Sequence, residues 1–177
     1  DECKGRFWEG RFKCQRLENE GAILACMCYV DLNPIRAGIA GSIEESDFTS
    51  ALKRAERIGV FGRTRRRRAT VCLNGLKGPL LVDLDGEQSP FRCWGEREYL
   101  RILDATGREI RRDKPGFIGE DVRPLLEDLD LNAEQWIQAV SHYNRRFRRV
   151  VGTAENLRAA ARAMGQQWLQ GVRDSKK

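Results

Sequence analysis

The sequence holds one histidine, His142, and five prolines in 177 residues. Aromatics make up 8%. No Cys-x-x-Cys pair and no His–Cys cluster occurs, so the spacing needed for tetrahedral zinc is missing. No run of roughly eighteen apolar residues occurs, which leaves no hydrophobic membrane span and predicts no membrane partner. The opening Asp1-Glu2-Cys3-Lys4-Gly5 lacks both an initiating methionine and the form of a signal peptide. That fits a truncated chain and a cytoplasmic setting. There the six cysteines, Cys3, Cys14, Cys26, Cys28, Cys72 and Cys93, are expected to be reduced and mostly buried as small apolar residues.

What is present is charge. Charged residues are 33% of the chain, hydrophobic residues 41%, and the formal net charge is +6. This describes a folded, helix-rich, well-solvated protein with a bias toward anionic partners, nucleic acid among them.

Arg6 to Gln15 mixes aromatic and basic residues and predicts a strand. Its first downstream strand-like run is the weak one near residue 80, and a strand without neighbours is unstable, which suggests a sheet short of members. A helix is expected over Glu18 to Leu32, ended near Pro34. A second is expected over Phe48 to Ile58, capped by Ser46-Asp47, with Phe48, Leu52 and Ala55 on one face. The glycines between Gly59 and Pro79, with the block Arg63-Thr64-Arg65-Arg66-Arg67-Arg68, mark a boundary. Leu80 to Gly86 predicts a short extended piece with a turn at Asp85-Gly86.

From Gly95 the pattern is helical: Glu96 to Thr106, ended by Gly107-Arg108; then Asp121 to Leu129 with Leu125, Leu126 and Leu129 inward. Asn132 caps a helix with Trp136, Val140, Tyr143 and Phe147 at helical spacing. Thr153 opens the last, with Leu157, Ala161, Met164 and Trp168 as its apolar stripe. Three regions follow: 1–58, a basic linker 59–94, and a helical domain 95–177.

Tyr29 and Asn33 lie four residues apart, on one face of the first helix. A phenol can attack a phosphodiester and split strand breakage into two reversible steps. With a pKa near 10 it needs help, which a metal polarising the phosphate can give, and an amide oxygen suits a hard cation. The same two residues also read as a helix-surface tyrosine and a helix terminator. Arg11, Lys13 and Arg36 are candidates for DNA phosphates, or simply solvated cations. Arg63, Arg65, Arg66, Arg67 and Arg68 form either a phosphate-binding linker or a solvated tether. Phe7 and Trp8 could stack on bases or pack in a core.

The pattern Tyr29-x-x-x-Asn33-Pro34-Ile35-Arg36-x-Gly38, with Arg6-Phe7-Trp8-Glu9-Gly10-Arg11-Phe12 upstream, resembles the end of the catalytic domain of single-tyrosine transposases related to the REP-associated tyrosine transposases. The resemblance covers about the first third of the chain. It implies an α+β fold: the remnant of a ferredoxin-like α/β catalytic domain, a strand plus a tyrosine-bearing helix, followed by a mainly helical C-terminal domain. It also implies Tyr29 as nucleophile and Asn33 as one ligand of Mg²⁺ or Mn²⁺. The substrate would be single-stranded or hairpin DNA. The family's His-hydrophobe-His motif is absent from these 177 residues. The complete protein would therefore use the metal, whereas this chain alone is expected to hold none and to be inactive. The rival reading is a non-catalytic, basic, helical nucleic-acid-binding module. A third is a structural remnant.

Overall fold

The computed structural model describes residues 14–60, 84–87, 89–91, 95–110, 122–129 and 131–172. In chain order the elements are β1 (Arg16–Leu17), α1 (Glu20–Asp31), α2 (Asn33–Arg36), α3 (Ser50–Arg57), α4 (Glu96–Ile110), α5 (Arg123–Glu127), α6 (Ala133–Ser141), α7 (Tyr143–Arg146), β2 (Val150–Val151) and α8 (Ala154–Ala163). Helices plus a two-stranded parallel sheet make an α+β chain. Among the described residues no helix is long and apolar enough to cross a membrane.

The chain forms two compact units. One runs from Asn19 to Tyr143; the other joins the residues up to Glu18 with those from Asn144 on. The expected regions 1–58, 59–94 and 95–177 cut the chain elsewhere. The physical reason is that α1 packs on α6, and α3 on α4, so helices from the first and third regions share one core.

In the larger unit, α1 starts where the Asn19 side chain accepts a hydrogen bond from Ala22 N at 2.8 Å. This satisfies one of the orphan N–H groups of the first turn. Ala22, Leu24, Ala25 and Cys28 face inward. Pro34 sits in the first turn of α2, where its missing N–H costs nothing. The cap of α3 is Thr49, accepting from Leu52 N at 3.3 Å, rather than Ser46-Asp47. Phe48 is consequently outside the helix, with φ of 64° and 85% of its surface exposed, while Leu52 and Ala55 are buried as expected.

Helix α4 continues through Gly107-Arg108 to Ile110. Gly107 is not a terminator but a close-packing point: a Cβ there would lie 3.1 Å from Leu32 Cδ2. Tyr99, Ile102 and Leu103 are fully buried on this helix. In α5 only Leu126 is buried; Leu125 and Leu129 are half-buried. Asn132 does cap α6, in a reciprocal box with Gln135. That helix stops at His142, and a separate short helix carries Tyr143. Trp136, Val140 and Tyr143 still reach the core because the break keeps their spacing.

Two buried polar clusters tie these helices. Asp31, at the end of α1, accepts from Ser50 N at 3.0 Å, Ser50 Oγ at 2.6 Å and Tyr99 Oη at 2.5 Å. Glu96, fully buried, accepts from Arg54 Nη1 at 2.7 Å and Arg57 Nε at 3.0 Å. Trp136 Nε1 donates to Thr106 Oγ1 at 2.7 Å. Buried polar groups are retained only when paired in this way.

In the smaller unit β1 and β2 pair in parallel, Arg16 with Val150 and Leu17 with Val151. Gln15 Nε2 donates to Phe147 O at 3.1 Å. The expected strand over 6–15 lies mostly outside the described residues. The partner of the neighbouring β1 is a two-residue run at 150, not the run near 80. Thr153 and Asn156 form the capping box of α8. Its apolar stripe is Leu157, Ala160 and Ala161. Met164 and Trp168, expected on that stripe, are 41% and 70% exposed, because the helix ends at Ala163 and Gly165 turns the chain with φ of 64°.

Candidate functional site

Tyr29 lies on the last turns of α1 and is half-buried. The chain stays helical at Leu32 (φ −84°, ψ −2°), so α2 carries Asn33 and Arg36 onward from the same helix end. Two groups flank the phenol ring. The Arg36 guanidinium carbon stands 4.2 Å from its centroid. The Tyr143 ring stacks on it at 4.9 Å with 25° between planes. A cation over a tyrosine face is favourable, by up to about 2 kcal/mol where water is excluded.

Tyr143 is itself an inert wall. Burial first, then its hydrogen bond with Cys26 and the neighbouring Tyr29, pushes its phenol well above the usual tyrosine range. It stays protonated wherever the protein is folded. Cys28, one residue before Tyr29, is also raised, by burial and then by Asp31. Cys14, Cys26 and Cys28 are free thiols.

Asn33 is exposed, and its backbone oxygen accepts from Ala37 N at 2.9 Å. Its amide is the one metal ligand that the sequence pattern assigns here. Among the described residues no group of three or more His, Cys, Asp or Glu side chains could hold a metal ion. These residues therefore do not by themselves fit a Mg²⁺ or Mn²⁺ centre, which takes about six oxygen ligands.

Beside this turn lies a cleft of about 820 Å³, lined by Arg36, Glu109, Ser141 and His142 among others. His142, distant in sequence from the tyrosine, is at the end of α6, exposed, with its N–H bonded to Gln138 O at 3.2 Å. The packing of α6 on α1 brings it to the same cleft as Arg36. Arg36 Nη1 and Glu109 Oε2 are buried without a hydrogen-bond partner.

No family model, curated protein or solved structure matches the chain.

Of the residues singled out in the sequence, the structure brings Tyr29 and Arg36 together and places Asn33 on the same helix end. Arg11, Lys13, Arg63, Arg65, Arg66, Arg67 and Arg68 lie outside the described residues. Sequence reasoning missed Tyr143 as a neighbour of Tyr29, and Glu109 and His142 as cleft residues. The Trp136, Val140, Tyr143 spacing signalled a buried face but not what that face would meet.

Proposed function

We propose that this chain is the C-terminal part of a single-tyrosine transposase, with Tyr29 as the residue that links covalently to DNA. The catalytic part would be the remnant of a ferredoxin-like domain, and the substrate single-stranded or hairpin DNA. The observation that carries the reading is the Arg36 guanidinium 4.2 Å from the Tyr29 ring, within a Tyr-x-x-x-Asn-Pro-Ile-Arg segment that stays helical through Leu32.

In the proposed step the Tyr29 oxygen attacks phosphorus and its proton leaves to solvent. The bond from phosphorus to the departing deoxyribose oxygen breaks, and that oxygen takes up a proton. Rejoining reverses the sequence, with a free sugar hydroxyl attacking the phosphotyrosine. Arg36 supports this by countering the charge that gathers on the phosphoryl oxygens. Tyr143 supports it by holding the phenol ring flat from its face. Arg11, Lys13, Arg63, Arg65, Arg66, Arg67 and Arg68 would grip flanking phosphates. No step is assigned to Mg²⁺ or Mn²⁺, since the described residues do not fit either ion. The chain alone is accordingly proposed not to cut.

The test extends the chain upstream in its own gene to include a His-hydrophobe-His motif. The extended protein is then incubated with labelled hairpin DNA and Mn²⁺. A denaturant-stable protein–DNA adduct is expected, and Tyr29→Phe should abolish it. An adduct surviving Tyr29→Phe would place the nucleophile elsewhere. DNA binding without any adduct would favour the non-catalytic binding module.

A further inference from the structure

The cleft beside Tyr29 carries a requirement that the strand-transfer reading does not use. Arg36 and Glu109 both line it, and each has a buried terminal atom that the protein leaves without a hydrogen bond. Burying such groups unpaired is costly, more so when they are charged. A bound molecule offering an acceptor to Arg36 and donors to Glu109 would relieve both.

A bare phosphate does not meet this requirement, because the Glu109 carboxylate repels it. Nor is the cleft a backbone anion cradle. The N–H groups of Ile39 and Ala40 are already bonded to Pro34 O at 2.9 and 3.2 Å, and that of Gly41 to Glu45 Oε2 at 2.8 Å. Recognition falls to side chains. The remaining wall includes Ile35, Ile39 and Ile137, apolar surface suited to the face of a flat ring. A planar molecule with donors on one edge and acceptors on the next is a nucleobase.

Among the bases the choice narrows on donor count. A carboxylate accepts two parallel N–H bonds only from guanine, through N1 and N2. Adenine, cytosine and thymine each offer one donor group on that edge. Guanine also presents O6 and N7, the pair of acceptors that a guanidinium fork matches. We infer that this cleft seats an unpaired guanine base, Glu109 accepting from N1–H and N2–H and Arg36 donating to O6 and N7. As a base within a single strand, this guanine rests on the DNA-binding reading above; as a free nucleotide it does not.

The experiment uses the whole chain and measures binding of dGMP, dIMP, dAMP and dCMP by titration calorimetry. Inosine keeps N1–H, O6 and N7 but lacks the N2 amino group. One lost hydrogen bond to a charged group predicts dGMP binding about tenfold tighter than dIMP. Glu109→Gln, which keeps size and is checked by an unchanged melting temperature, should bring dGMP to the dIMP level. Equal affinity for dGMP and dIMP, no binding of either, or selectivity that survives Glu109→Gln overturns the proposal. A second arm compares oligothymidine with and without one central guanine. Tighter binding of the guanine-bearing strand assigns the base to a strand. Selectivity for dGMP with no strand preference keeps the guanine site and removes the single-strand reading.

Discussion

Replacing Glu96 by alanine tests the packing logic of the larger unit. Glu96 is fully buried and holds Arg54, which is only 4% exposed, at 2.7 Å. Removing the carboxylate strands the Arg54 guanidinium in the core. Breaking one partner of such a pair costs about 3–5 kcal/mol, through the uncompensated charge rather than through lost attraction. For a chain of 177 residues each kcal/mol moves the melting temperature by roughly 2–4 °C, so Glu96→Ala should lower it by roughly 6–20 °C. The double variant Arg54→Met, Glu96→Met should lose much less, since no buried charge is left alone; Arg57, 43% exposed at its side chain, can turn to water. As a control, Asp104→Ala breaks the exposed Asp104–Arg108 pair at 2.7 Å and should cost about 0.3–0.5 kcal/mol. Urea titrations of the four proteins give the values. A Glu96→Ala loss within about 1 kcal/mol, or a double variant as unstable as the single, would refute the reasoning.

Three further outcomes are expected. Stability should fall as pH rises above about 9. Cys28, Tyr99 and Tyr143 all have folded pKa values raised, chiefly by burial, above the reference 9.0 for cysteine and 10.0 for tyrosine; the unfolded chain therefore sheds these protons first, and urea midpoints at pH 8 and 10.5 should show the drop. Gly107→Val should destabilise by about 1–3 kcal/mol, because its side chain meets Leu32 Cδ2 3.1 Å from the Cβ position; thermal melting checks this. Changing Arg63, Arg65, Arg66, Arg67 and Arg68 together to glutamine should weaken single-strand binding and flatten a log–log salt slope that starts near −4 for about six phosphate contacts; an unchanged slope would make the block a solvated tether.

Local signals in the sequence carried over well. Asn19, Asn132 and Thr153 each cap a helix, because a cap depends only on side-chain chemistry and three residues of chain. What failed depended on distance. Gly107 reads as a stop in sequence, yet it is a place where Leu32 comes close. Phe48 reads as part of an apolar face, but Thr49 competes for the cap and turns Phe48 outward. Trp168 fits the period of the last helix, and Gly165 ends that period first. The candidate site shows the same division. Tyr29, Asn33 and Arg36 were legible as a local motif. Tyr143, Glu109 and His142 reach it only through the packing of α1, α4 and α6, which no spacing along the chain encodes.

The three hydrogen bonds to Asp31 have a consequence for motion. Asp31 stands two residues after Tyr29 and is bonded to both Ser50 and Tyr99. Fraying of the end of α1 would strand a buried carboxylate, so that end cannot open by itself. Its amide protons should exchange with solvent only when α3 and α4 open too, in one sub-global event with slow, shared rates. Tyr29 then rides on a fixed platform, and any strand that reaches it must bend to the tyrosine.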